Sequence, residues 1–155
     1  MLVSTLPEPE RHPLWPGIHR LLAKAAARLG SAHVWEPDDL LWIVIDDQEI
    51  VAVLSSRLLV DGTAEIVNGS GHRAAQWVRP MDEKLCQWAR AAGAPAIICR
   101  GRKGWGRLGR GLGWKVVGRD GAAMVFRKTT GSPDADKSDR DDAARRPTRG
   151  RAQLR

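Results

Sequence analysis

The sequence predicts an α+β domain with a central mixed, mostly antiparallel sheet flanked by helices. Three β-rich runs, at residues 40–46, 49–60 and 63–69, are separated by short turns, which is the pattern of an antiparallel meander. Segments of helical period precede and follow this meander, at residues 17–29 and 72–92. The chain has 155 residues, 43% of them hydrophobic and 28% charged, which is enough to bury one core of ordinary size.

The first helix is predicted from apolar side chains that recur every three or four residues, and Gly30 marks its end. Those side chains are Ile18, Leu21, Leu22, Ala25 and Leu29. Within the meander, Asp61-Gly62 is a strong hairpin signal between the second and third strands. The helix over 72–92 contains Pro80, where we expect a kink or a restarted helix.

The remaining elements follow from shorter patterns. An apolar run at 96–99 predicts a buried strand, which a right-handed crossover places parallel to the strand at 63–69. A stretch rich in Gly and Arg at 100–113 predicts a short helix or a loop. A final hairpin is expected from strands at 114–118 and 122–128.

Several classes of protein are excluded by composition. Two cysteines, Cys86 and Cys99, are too few for a disulfide framework or a four-cysteine zinc site, and His12, His19 and His33 lack metal-ligand spacing. No apolar run approaches the ~20 residues of a membrane helix, and the proline- and glutamate-containing start lacks the apolar core of a signal peptide. We therefore expect a soluble, cytoplasmic protein without a metal.

Positive charge is concentrated in one short segment. Residues 97–128 contain nine lysines and arginines against a single acidic residue, Asp120. Such a patch attracts the phosphates of a nucleic acid or of a phosphorylated cofactor, although it can also be an ordinary solvated face. The candidate phosphate-binding or nucleic-acid-binding residues are Arg100, Arg102, Lys103, Arg107 and Arg110, which interleave with Trp105 and Trp114.

The chain changes character at Thr129. From there to the end it has few apolar residues and mixes Pro, Gly, Ser, Asp and Arg, so it cannot bury enough surface to offset its chain entropy. We expect a domain over residues 1–128 and a disordered, mixed-charge, net basic tail over residues 129–155. The arginines near its end could add weak nucleic-acid affinity, but solubility is a sufficient explanation and the one we favour.

A glycine turn that enters a helix is the first candidate binding feature. Backbone N–H groups and the positive end of the helix dipole at Gly69, Ser70, Gly71 and His72 could hold a diphosphate, and Arg73 adds charge. A plain strand-to-helix turn is the alternative. The other glycine-rich pattern, Gly104, Gly106 and Gly109, matches a dinucleotide motif in spacing only, because only two short strands follow it.

Glu65 is the best candidate for a general base, because it lies on the predicted strand that leads into the glycine turn. A solvated strand residue is the alternative. His72 could assist Glu65 if the start of the helix faces a cleft. Cys86 and Cys99 are expected to be buried and are not expected to be nucleophiles.

The order of elements over residues 15–128 resembles the GNAT acyltransferase fold. The run from Glu65 to Asn68, followed by Gly69-Ser70-Gly71, is similar to that family's fourth strand and diphosphate loop. Residues 86–94, and Trp105, Leu108 and Gly113-Trp114, are similar to its later helices and the step into the last hairpin. The resemblance implies acetyl-CoA as cofactor, Glu65 as base, and direct transfer of the acyl group to an amine. The implied cofactor-binding residues are Val67, Asn68, Gly69, Ser70, Gly71, His72 and Arg73.

Two departures from the family pattern keep a second hypothesis open. The nearest frame for the signature loop, Asn68, Gly71 and Arg73, differs at its first and last positions, and the chain has no tyrosine to act as a general acid. Short phage-encoded proteins of this fold are similar as well. The alternative is therefore a GNAT-shaped protein without catalysis, which associates with a virion or with nucleic acid through the basic surface at 100–119.

Overall fold

Seven strands and three helices make up the structure of residues 1–131, which are described here from a computed structural model. The strands are β1 (Leu2–Leu6), β2 (Leu40–Asp46), β3 (Glu49–Leu58), β4 (Ala64–Gly71), β5 (Ala96–Gly101), β6 (Lys115–Asp120) and β7 (Ala123–Thr129). The helices are α1 (Trp15–Ala27), α2 (Ala74–Ala91) and α3 (Trp105–Gly109), with 3-10 turns at Pro9–Arg11 and Arg110–Leu112. No helix in this part of the chain is both long enough and apolar enough to span a bilayer.

All seven strands form one sheet in the order β1-β2-β3-β4-β5-β7-β6. Every neighbouring pair is antiparallel except β4 and β5, which are parallel. The predicted α+β class with a mixed, mostly antiparallel sheet is confirmed, as is the parallel crossover. The predicted elements reappear with bounds that differ by a few residues.

Strand β1 was not predicted from the sequence. This strand pairs antiparallel with β2, from Leu2 opposite Ile45 to Leu6 opposite Leu41, and forms one edge of the sheet. Strand β2 lies about forty positions further along the chain, so no local turn signal predicts this pairing.

Helices cover both faces of the sheet because neighbouring residues of a strand point to opposite sides. On one face, Ile18 and Leu22 of α1 pack with Val53 of β3. On the other face, Trp77 and Met81 of α2 pack with the side chains next to Val53 in β3. The sheet therefore separates an α1 face from an α2 face.

The predicted turn at residues 69–71 is wrong, because β4 continues through Gly71. Gly71 pairs with Ala52 of β3 so closely that an added Cβ would lie 2.6 Å from the Cβ of Ala52. The glycine thus permits two strands to approach and does not form a turn. The change of direction is left to His72 and Arg73, and Arg73 has a left-handed backbone with φ of 54°.

Two further boundaries differ from the prediction. The helix α2 runs without a restart from Ala74 to Ala91, with Pro80 inside it. At the other end of the domain, β7 includes Thr129, and buried Thr130 donates its backbone N–H to the carbonyl of Pro95. The folded domain therefore extends past residue 128, and the predicted tail beyond residue 131 lies outside the described residues.

Candidate active site

The parallel strands β4 and β5 pair only over their first residues. Ala64, Glu65 and Ile66 lie opposite Ile97, Ile98 and Cys99, and the ladder ends there. Strand β4 then continues to Gly71 with β3 as its only partner within residues 1–131, after a bulge that leaves Val67 without a counterpart in β3. One backbone edge of β4 is therefore open beyond Ile66.

A cleft fills the gap between the two strands and contains about 1110 Å³ of space, part of it open to solvent. Its walls are mostly apolar and include Leu54, Ile66, Trp77, Val78, Met81 and Leu85. Residues of α1, including Arg28 and Leu29, line it as well as residues of α2. Since these two helices cover opposite faces of the sheet, the cleft passes through the sheet.

The start of α2 presents free backbone donors beside the cleft. His72 N–H donates to the carbonyl of Val51, and Gln76 N–H donates to that of Arg73. Among the described residues, the N–H groups of Arg73, Ala74 and Ala75 have no backbone partner, as expected for a first helical turn. These donors and the positive end of the helix dipole favour an anion here.

The side chains at this helix start face the turn between β2 and β3. The Arg73 guanidinium lies 3.3 Å from Asp46 and 3.7 Å from Glu49, and His72 Nε2 lies 3.8 Å from Glu49. The charge of Arg73 is thus shared with two carboxylates. A role for Arg73 and His72 in holding phosphate stays a prediction.

Glu65 lies on the α1 face of β4, where its carboxylate is held by an arginine. Glu65 Oε1 accepts a 2.6 Å hydrogen bond from Arg100 Nη1, and Arg100 Nε donates to Asp120 at 2.9 Å. Arg100 lines the cleft, whereas Glu65 stands behind it with a side chain 13% exposed. The predicted base therefore does not line the cleft itself but is hydrogen-bonded to Arg100, which does.

The other predicted basic residues are exposed. Arg102 and Lys103 follow β5, and Arg107 and Arg110 lie on and after α3. Within residues 1–131 none of these four forms an ion pair. Arg102 also lines the cleft, so this surface continues into the candidate site.

Tryptophans near this surface are occupied by packing. An added Cβ at Gly101 would lie 3.1 Å from Trp105, and one at Gly109 would lie 2.9 Å from Trp114. Trp114 Nε1 also donates to Asp82 at 2.7 Å. Gly101 and Gly109 thus allow the close approach of two indoles, whereas an added Cβ at Gly104 would contact nothing within 4 Å.

A polar cluster on the α1 face was not predicted from the sequence. Asn68, which lines the cleft, donates from Nδ2 to His33 Nδ1 at 2.7 Å. His33 Nε2 and Ser55 Oγ are buried without a hydrogen-bond partner in the described part of the chain. No spacing signal connects these residues, because the strand pairing of Ser55 with Asn68 and the loop that carries His33 are set by the fold.

Burial, together with the nearby charge of His19, lowers the pKa of His33 below 6.5. An unfolded chain takes up this proton near pH 6.5, whereas the folded protein takes it up only at lower pH, so stability falls as the pH drops below about 6.5. We expect the free energy of unfolding to decline more steeply from about pH 7 to about pH 5 in the native protein than in His33→Gln. Urea denaturation at several pH values measures this, and equal slopes would contradict it.

Neither cysteine is prepared for nucleophilic chemistry. Burial raises the pKa of Cys86 and raises the pKa of Cys99 to about 12. The thiolate, which is the reactive form, is therefore scarce at neutral pH. Within the described residues no three His, Cys, Asp or Glu side chains come together as a possible metal site.

A sheet of this order, with its parallel pair separated around a cleft, is the fold of the GNAT acyl-CoA N-acyltransferases, as the sequence predicted. An aminoglycoside 6'-N-acetyltransferase solved with coenzyme A is 14% identical over 85% of this chain and 98% of its own, with a TM-score of 0.66. The ribosomal-protein-S18-alanine N-acetyltransferase of Escherichia coli is 12% identical over 84% and 94%, with a TM-score of 0.60. The PaiA N-acetyltransferase of Thermoplasma acidophilum, solved with coenzyme A, is 11% identical over 83% and 99%, with a TM-score of 0.60. No protein-family model and no curated protein sequence matches the chain.

Proposed function

We propose that this protein is an N-acyltransferase that transfers an acetyl group from acetyl-CoA to an amine. The observation that carries the proposal is the cleft that passes through the sheet where β4 and β5 separate. A cleft lined by residues from both faces of the sheet can hold a donor and an acceptor end to end. Three similar structures are N-acetyltransferases, and two of them contain coenzyme A.

The residues present fit this cofactor. The open edge of β4 at residues 67–71 offers backbone groups to the amides of a pantetheine arm, as an added strand would use them. Val78 and its neighbours supply an apolar wall. The free N–H groups at the start of α2 suit the diphosphate, and Arg102 supplies a nearby cation. We therefore retain Val67 through Arg73 as the proposed cofactor-binding residues, acting mainly through their backbone.

Acetyl-CoA, when bound, supplies an acyl thioester, and the reaction joins the amine nitrogen to the acyl carbon while the carbon–sulfur bond breaks. We assign Glu65 as the base that takes the proton from the amine through a water molecule, because its carboxylate is hydrogen-bonded to Arg100, which lines the cleft. The chain has no tyrosine, and Trp105 is no acid, so solvent protonates the departing thiolate.

Isothermal titration calorimetry with acetyl-CoA tests cofactor binding. Val78→Glu places a carboxylate on the apolar wall beside an anionic ligand, so we expect its Kd to rise by more than about tenfold. Gln87→Glu adds the same charge to the exposed side of the same helix and is expected to bind as the native protein does. Absence of binding by the native protein at millimolar acetyl-CoA would refute the proposal.

A second candidate function is phosphate-backbone binding without catalysis, in a nucleic-acid-associated or virion-associated protein. Four exposed and unpaired cations between Arg102 and Arg110 favour it. Trp105 and Trp114 are engaged in packing, so base stacking lends it no support. It becomes the better proposal if acetyl-CoA fails to bind while duplex DNA binds with an affinity that falls steeply with salt.

A further inference from the structure

The charged residues that line the cleft differ in whether they have partners. Asp82 is neutralised by Lys128, and Arg100 is bound by Glu65 and Asp120. Arg28 and Arg102 also line the cleft, and neither has a carboxylate within 4.0 Å in the described part of the chain. The cleft thus carries two unpaired cations, and its lining contains no unpaired carboxylate.

Arg28 stands apart from the cofactor's anion-binding groups. It is the C-cap of α1, which packs on the face of the sheet opposite α2, whereas the free N–H groups lie at the start of α2. A cofactor with its diphosphate at α2 enters from that face. Arg28 therefore lines the cleft on the α1 side of the sheet, opposite the proposed diphosphate site, where an acceptor would enter.

The carboxyl end of α1 does not cancel this charge. A helix end of this polarity repels anions through its unpaired carbonyls. Here the carbonyls of Lys24, Ala26 and Ala27 accept hydrogen bonds from residues 28–31, including two from Ser31 to Ala26. Three of the last four carbonyls of α1 are thus satisfied, which weakens the repulsion that this helix end exerts on an anion.

We propose that the acceptor is an amine that also carries a carboxylate or phosphate group, and that Arg28 binds that anion. This inference rests on the proposed acyltransferase function and names its class of substrate. A guanidinium binds a planar carboxylate or a phosphate through paired N–H donors. A polycationic amine meets the unpaired Arg28 and, among the described residues, no unpaired carboxylate in the cleft lining, which disfavours it.

The test compares phosphoethanolamine with ethanolamine, which differ only in the anionic group. Binding of each to protein saturated with coenzyme A is followed by NMR chemical-shift titration, so the diphosphate site is already filled. We expect phosphoethanolamine to bind at least about tenfold more tightly, and Arg28→Gln to remove that difference. Arg20→Gln, on the exposed side of the same helix, is the matched control and is expected to retain it.

Four results would overturn the inference while coenzyme A still binds the native protein. Equal affinities for the two amines, or no binding of either, would remove the anion requirement. Retention of the difference in Arg28→Gln would remove Arg28 from the site. A rise in the acetyl-CoA Kd of Arg28→Gln to match its loss of phosphoethanolamine binding would assign this arginine to the cofactor. Failure of coenzyme A to bind the native protein would instead refute the proposed function.

Discussion

Replacement of Asp82 by alanine is expected to lower the free energy of unfolding by about 3–5 kcal/mol. Asp82 accepts hydrogen bonds from Trp114 Nε1 at 2.7 Å and from Lys128 Nζ at 2.5 Å. The side chains of Asp82 and Lys128 are only 8% and 16% exposed. The variant leaves a mostly buried ammonium and a partly buried indole N–H without their acceptor, and both losses are costly. Urea denaturation followed by circular dichroism measures the change.

Two companion variants separate this explanation from a general effect of altering α2. Glu83→Ala removes an exposed carboxylate one residue further on and is expected to change stability by less than about 0.5 kcal/mol. The double variant Asp82→Leu, Lys128→Met replaces the ion pair by apolar side chains and is expected to recover most of the loss. A loss below about 1 kcal/mol in Asp82→Ala would show that the pair contributes little.

Glu65→Gln is expected to reduce kcat by about 10²- to 10⁴-fold, the usual contribution of a general base. Glutamine keeps the size of the side chain and an oxygen that can accept from Arg100, so the cleft retains its shape. Thiol release from acetyl-CoA with an accepted amine measures turnover, and calorimetry with acetyl-CoA checks that binding persists. Unchanged turnover would exclude Glu65 as the base.

Asp120→Asn is the matched control because Asp120 is the second carboxylate bound to Arg100 and is mostly exposed. It is expected to retain near-native turnover. An equal loss in both variants would mean that the two carboxylates act by positioning Arg100, and that neither removes the proton.

Hydrophobic period and turn chemistry were sufficient to predict most of the fold. The Asp61-Gly62 turn and the alternating runs around it are local signals, so the β3–β4 hairpin could be predicted from neighbouring residues. The end of β4 could not, because glycine is as typical of turns as of closely approaching strands. Only the position of Ala52 opposite Gly71 decides between the two.

The candidate site was predictable in its backbone and not in its side-chain contacts. Strand β4 and the start of α2 follow each other directly in the sequence. The candidate cofactor-binding segment at residues 67–73 could therefore be located from the sequence alone. The partner of Glu65 is 35 residues away, and the loop histidine bound to Asn68 is separated from it by the same interval. Contacts over such distances depend on strand order, which residue spacing does not encode.

The passage through the sheet has walls supplied by separate elements of the chain, with α1 and the loop after it on one side and the α2 start on the other. Substitutions on one side of the cleft can therefore accumulate without disturbing the other side. Under the proposed function, a lineage that keeps the donor-side backbone can change its acceptor by altering a helix end and a loop. Substrate specificity can therefore change while the fold stays the same, because separate elements supply the two sides of the cleft.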